Sequence, residues 1–238
     1  MSYDPSNRWA VRGAVPQVDI DVGLRQYMLR IYNYMASGLA LTGIVAYAAA
    51  ASGFYLQIAG TPLIWVVMLA PLGLVFWLSA GIGRMQASTA QLLYWAFAAV
   101  MGLSLSFIFV AYTGASIARV FFITAGTFAA MSFYGYTTQR DLTQFGSFLF
   151  MGLIGIVIAS LVNIFIASSA LQFAISVIGV IVFVGLTAWD TQRIKEMYVE
   201  YDDGQMAGKK AIMGALTLYL DFINLFVMLL QLFGQRRD

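Results

Sequence analysis

Between residues 31 and 83 the chain runs for 53 residues without a single Asp, Glu, Lys or Arg. A helix needs about 20 apolar residues to cross a bilayer, so this stretch holds two spans and a turn. Turn formers cluster at Ser52-Gly53 and at Gly60-Thr61-Pro62, and they place the break. Met85 to Ala118 is again uncharged and predicts a third span over roughly 90–113. Arg119 opens a fourth, roughly 119–138, which closes at Arg140-Asp141. Leu142 to Trp189 is uncharged for 48 residues. As one helix it would be about 72 Å long, more than twice the ~30 Å hydrocarbon core. It must therefore fold back, with Ala167-Ser168-Ser169 as the turn and spans over roughly 146–167 and 171–190. A polar stretch, Thr191 to Lys210, separates these from a seventh apolar segment, Ala211 to Phe233. The runs are continuous rather than alternating, which predicts helices and not barrel strands. Small residues such as Ala36-Ser37-Gly38 and Ala125-Gly126 allow helices to approach closely. Tyr32, Tyr34, Tyr94, Trp95, Tyr134, Tyr136 and Trp189 stand near span ends and read as an interfacial belt.

Composition fixes the class. Of 238 residues, 61% are hydrophobic and 10% are charged, against about 25% charged in a soluble domain. A chain this short exposes too much surface for a large core to explain the deficit. Lipid must solvate the outside, so the bilayer is the first partner. The expected organisation is a polar tail over 1–24 and one transmembrane domain over 25–234. No apolar stretch ahead of a small-residue cleavage site marks a removable signal peptide. The net charge of +2 and the lack of a basic run give no reason to expect nucleic acid.

Absent residue types exclude whole chemistries. There is no Cys and no His, hence no disulfide, no Cys/His zinc site and no Ser-His-Asp triad. A rhomboid-type serine protease lacks its base here. Lys195, Lys209 and Lys210 all lie in the polar stretch before the last span, so no Schiff-base lysine is available for retinal in that helix. No catalytic residue and no obligatory cofactor is expected. Lys and Arg set the orientation. With the N-terminus inside, ten fall on the inner side and three (Arg119, Arg236, Arg237) on the outer. The positive-inside rule then predicts a cytoplasmic N-terminus. Seven full spans place the C-terminus outside, whereas a re-entrant last segment returns it inside.

Two carboxylates concentrate the chemistry. Asp221 is the eleventh of 23 residues in the last segment, and Asp190 ends the sixth. A charge at the bilayer centre costs roughly 3 kcal/mol on insertion scales, which makes such residues functional candidates. Asn224 shares the helix face of Asp221. The last segment thus carries a polar stripe that needs shielding from lipid, and its expected place is the centre of the bundle. If the two carboxyls meet in a poorly solvated place they share a proton, which supplies pH sensitivity without histidine. Their positions argue against contact at first sight. Span six ends at Asp190 while Asp221 is mid-span, a depth difference of roughly 10–15 Å at 1.5 Å per residue. Contact requires span six to run on past Asp190 or the seventh helix to start late.

The stretch Leu218-Tyr219-Leu220-Asp221-Phe222-Ile223-Asn224-Leu225-Phe226 resembles the signature of the Bax inhibitor-1 family, the transmembrane Bax inhibitor motif proteins. Asp190-Thr191-Gln192 resembles that family's sixth-helix motif. The opening Leu24-Arg25-Gln26-Tyr27-Met28-Leu29-Arg30-Ile31-Tyr32-Asn33-Tyr34-Met35 is similar to that of its proteobacterial members, and Met101-Gly102-Leu103-Ser104 and Asn163-Ile164-Phe165 also fit. The resemblance implies an all-α bundle, six helices around a central seventh, in a bacterial inner membrane. It implies a di-aspartyl site at Asp190 and Asp221 tied to a pH-dependent calcium leak. Calcium would be the permeant ion and at most a weak ligand of the pair. Arg84 occupies the place of an arginine that latches the sixth-helix aspartate, and Asn224 is a supporting polar residue. Glu196, Glu200, Asp202 and Asp203 read as a solvated loop that could draw cations to the inner mouth. A contact regulator of a membrane-anchored protease, or a stress-survival factor acting by contact, is the alternative that the family suggests. An intramembrane aspartyl protease would need Gly-x-Gly-Asp in the seventh helix, and Leu218 and Leu220 stand at those Gly positions.

Overall fold

The chain breaks where its turn formers cluster. The computed structural model describes residues 17–237 as nine helices. They are α1 Gln17–Ala51, α2 Phe54–Ile58, α3 Leu63–Gly81, α4 Ala87–Leu105, α5 Phe107–Ala111, α6 Gly114–Thr137, α7 Thr143–Ile166, α8 Ser169–Glu196 and α9 Gly204–Phe233. No strand occurs among the described residues, whose β pairing is one isolated bridge between Tyr112 and Arg236. Seven helices, with α4 and α5 running on as one, are long and apolar enough to cross a membrane. The turn between α7 and α8 is made by Ala167 in the left-handed region, φ 51°. Ser168 then caps α8, its hydroxyl accepting from the Leu171 N–H.

Three helix ends differ from the hydropathy reading. α1 reaches back to Gln17, directly after Pro16, about two turns before the expected start at Arg25. Part of the expected polar tail is therefore helix, and residues 1–16 lie outside the described residues. α8 continues past Asp190 to Glu196, and α9 begins at Gly204 rather than near Ala211. Hydropathy marks the hydrocarbon slab, whereas a helix continues into water until a cap stops it. Arg193 and Lys195 in the last turn of α8 favour its C-terminal dipole end. Asp203 Oδ1 accepts from the Met206 N–H at 2.6 Å and caps α9. Between them Lys210 Nζ holds the turn, bonding to Met197 O at 3.0 Å and Asp202 Oδ2 at 2.6 Å.

α9 stands at the centre. α1, α4, α6 and α8 pack directly on it, while α3 and α7 complete the bundle by packing chiefly on α4 and α8. The most apolar stretch of α9 is 67% buried, against 11% for α3 and 17% for α7, so the outer helices present Trp65, Phe76, Phe148 and Phe165 outward. Lipid tails are as apolar as Leu, so close backbone approach and interhelical hydrogen bonds must hold the helices together. At Gly102 on α4, an added Cβ would lie 2.7 Å from the Thr42 carbonyl oxygen of α1. Thr42 Oγ1 bonds to Ala98 O at 2.8 Å and to the Tyr219 hydroxyl at 2.7 Å, which joins α1, α4 and α9.

Tyr94 corrects the aromatic-belt reading. It is fully buried, with its hydroxyl donating to Tyr34 O at 2.8 Å and its ring edge-on to Tyr219. Its polar tip is satisfied by protein, which removes the reason to seek the interface.

α9 is long and apolar enough for a complete span. Beyond it the chain is fastened between α5 and α6: Thr113 N–H donates to Gln235 O, Arg237 N–H to Ala111 O, and Gln235 N–H to Ser116 Oγ. The C-terminal segment thus lies at the end of the bundle opposite the α8–α9 turn. Combined with the charge asymmetry, this gives an expected result. Single cysteines added in the tail should react only from the cytoplasm, and ones added after Gly234 only from outside. Labelling of both on one side of intact cells would contradict the seven-span reading.

Candidate functional site

The register of α8 against α9 decides whether the two aspartates can meet. These helices run antiparallel. Gly179 packs on Met228, Ser176 Oγ bonds to Gln231 Oε1 at 2.8 Å, and Ile194 touches the Cα side of Gly214. On that register Asp221 stands opposite Thr187, and Asp190 lies nearly one turn nearer the α8–α9 turn, about 5 Å along the axis. Side chains lean toward the N-terminus of their own helix. In an antiparallel pair the two aspartates therefore lean toward each other and close that offset. Their carboxyl groups come within hydrogen-bonding reach. The extension of α8 past Asp190, the first of the two conditions, makes this possible.

Both groups are buried, Asp190 at 7% exposure and Asp221 at 5%. No donor among the described residues reaches the buried Oδ2 of Asp221. A proton carried by the pair itself would satisfy a carboxyl oxygen in that position. The cation whose charge acts on Asp190 is Arg193, nearly one turn further along α8, its guanidinium 5.5 Å from the Trp189 ring centroid. Asn224 is half-buried and donates to Leu220 O of its own helix at 2.8 Å.

Arg84 is not brought to Asp190. It is exposed in the turn between α3 and α4, and the ion pair found among the described residues is Lys210–Asp202. The reason is the layering: α3 packs on α4, away from α8. Of the acidic loop, Asp202 and Asp203 are engaged with Lys210 and the α9 cap, while Glu196 and Glu200 are exposed. Among the described residues no three His, Cys, Asp or Glu gather to hold a metal. Two carboxylates are too few for tight calcium binding, which takes six or more oxygens.

Several residues support the pair in ways the sequence did not show, and Ser132, Thr187 and Gly135 among them were not singled out by it. Thr191 Oγ1 donates to Thr187 O and is 3.0 Å from Ser132 Oγ, which in turn is 2.6 Å from the Tyr32 hydroxyl. This chain of hydroxyls joins α8, α6 and α1 beside Asp190. Its sequence signals are Thr191 within the Asp190-Thr191-Gln192 motif and Thr187 one helical turn before it. Gln192 accepts from the Leu142 N–H at 2.9 Å and donates to Arg140 O at 2.8 Å, holding the α6–α7 turn against α8. Gly135 of α6 crosses α8 at Ala188, and an added Cβ would collide with the Ala188 carbonyl.

Six apolar spans around a seventh that carries a buried carboxyl define a polytopic membrane protein. The family model described as inhibitor of apoptosis-promoting Bax1 matches residues 24–238. The chain is 52% identical to the inner membrane protein YbhL of Escherichia coli (strain K12), with 90% of this chain and 94% of that one covered. It is also 52% identical to an uncharacterized protein of Rickettsia prowazekii (92% and 93% covered) and 45% identical to one of Caulobacter vibrioides (93% of each). The chain belongs to the Bax inhibitor-1 family.

Proposed function

We propose that this protein is a pH-sensitive calcium leak channel of the bacterial inner membrane, gated by the Asp190–Asp221 pair, and that it catalyses no reaction. The observation that carries the reading is the buried, donorless oxygen of Asp221 beside a second buried carboxyl. Two carboxyls so placed share one proton. That proton ties α8 to α9, and the ionised partner leaves a negative site with hard oxygen ligands for Ca²⁺. Changing the protonation of the pair changes the helix contact and the local charge together, which makes flux depend on pH. With only two carboxylates the occupancy is weak and brief, as permeation requires. The inner membrane is taken from the E. coli relative, an inner membrane protein, and calcium from the family resemblance. Calcium entry into liposomes holding only the purified protein, followed against pH, tests the reading. Flux that varies with pH supports it, and protein-free background at every pH overturns it.

We read Arg193, whose charge acts on Asp190, in the latch role that the family resemblance gives to Arg84. Arg193→Gln should displace the flux–pH curve because it removes the charge acting on Asp190. Arg84→Gln should leave the curve in place and at most weaken the positive-inside anchor. A displaced curve in Arg84→Gln, with none in Arg193→Gln, would restore Arg84 as the latch.

A further inference from the structure

α1 and α6 both pack on α9 but diverge from each other and leave a groove of about 1000 Å³ open to the surroundings of the bundle. Its walls run from Arg25 to Ile44 on α1 and from Phe121 to Tyr136 on α6, about 28 and 22 Å at ~1.5 Å per residue. The groove is therefore as long as the hydrocarbon is thick. Its lining is apolar except at the Arg25 end. There the Tyr32 and Ser132 hydroxyls and the exposed Arg25 line it. Lys195 adds a second cation, lying 5.2 Å from the ring centroid of the lining residue Tyr136. Among the described residues no acidic side chain lines the groove.

We propose that this groove is a binding site for an anionic phospholipid of the leaflet at the Arg25 end, with its headgroup at Arg25 and Lys195 and its chains between α1 and α6. The charge pattern selects the occupant. An apolar helix of a partner would fill the hydrophobic length but bring no negative charge to the Arg25 end. An anionic headgroup instead places phosphate oxygens within reach of Arg25 and of Lys195, which also donates to Tyr136 O at 2.9 Å, and its tails in the apolar remainder. The placement also gives the lipid leverage. The floor of the groove is Phe222, next to Asp221 and ring-packed on Phe121 and Phe128. Ser132 on its wall bonds to Thr191, next to Asp190. A lipid seated there touches the neighbours of both aspartates. The site itself stands or falls independently of the flux reading.

Native mass spectrometry of the full chain, with phosphatidylglycerol and phosphatidylcholine offered at equal concentration, tests the proposal. Phosphatidylglycerol should be retained several-fold more than phosphatidylcholine. Arg25→Gln should reduce that preference at least twofold. Ala129→Phe, at an exposed position of the wall, should fill the groove and lower retention of both lipids. Asp221→Asn should keep the wild-type preference, which separates lipid binding from the gate. Equal retention of the two lipids overturns the proposal. So does a preference unchanged by Arg25→Gln together with retention unchanged by Ala129→Phe. Cysteine cross-links between α1 of one copy and α6 of another would assign the groove to a second copy of the chain and overturn it as well.

Discussion

Asp221→Asn is expected to keep the protein folded and to remove most of the pH dependence of its calcium flux. Asparagine matches aspartic acid in size and still offers an amide N–H to Asp190, so the α8–α9 contact survives. What disappears is the titration. A gate worked by one proton changes its open-to-closed ratio by at most about tenfold per pH unit. With Asn at 221 the curve should flatten to within about twofold over the same range, the residue coming from Asp190 alone. The measurement is flux against pH in liposomes, with circular dichroism and thermal melting in detergent to establish folding. A folded Asp221→Asn protein with a full wild-type slope would remove the pair from the gate. Asp221→Leu makes the contrast. It leaves Asp190 buried without its partner, and loss of one member of a buried polar pair costs more than substitution within it.

The largest structural effect is expected at Gly135. α6 crosses α8 there at the Ala188 carbonyl, and a Cβ on residue 135 would collide with that backbone. The obstacle is peptide rather than a movable side-chain tip, so relief requires the helices to separate. Gly135→Ala should cost about 1–3 kcal/mol, the usual range for overpacking, and bulkier residues more. Separation of α6 from α8 also stretches the Ser132–Thr191 hydrogen bond three residues away, beside Asp190. Gly135→Ala should therefore lower the thermal midpoint in detergent and alter flux, whereas Gly126→Ala, where an added Cβ meets nothing within 4 Å, should do neither. Equal melting of both variants would show that the crossing is not tight.

Much of this was legible in the chain. The breaks at Ser52-Gly53, at Gly60-Thr61-Pro62 and at Ala167-Ser168 could be read because turn chemistry is local. The depth of Asp221 could be read because nothing else in the last 23 apolar residues is charged, and the polar stripe placed that helix centrally. The meeting of Asp190 with Asp221 was not legible. Hydropathy ends span six at Asp190, while the helix continues for another turn and a half under Arg193 and Lys195. Antiparallel side-chain lean, which closes the remaining offset, leaves no trace in composition. Tyr94 shows a second limit. An aromatic near a span end reads the same whether it faces the interface or, as here, reaches the Tyr34 carbonyl inside the bundle. Arg84 shows a third. Its place along the chain fits the latch, but it stands exposed in the turn after α3, a helix of the outer layer, and layer order is set by packing between helices rather than by any one segment.

The central claim is that Asp190 and Asp221 act as one titrating unit. Calcium flux against pH in liposomes, compared among the wild type, Asp190→Asn, Asp221→Asn and the double variant, tests it most directly. Residues that act as a unit are strongly non-additive. The account predicts a flattened profile in each single variant and a double variant no flatter than either. A wild-type profile in both single variants would contradict the di-aspartyl gate and favour a protein that acts by contact with a membrane-anchored partner.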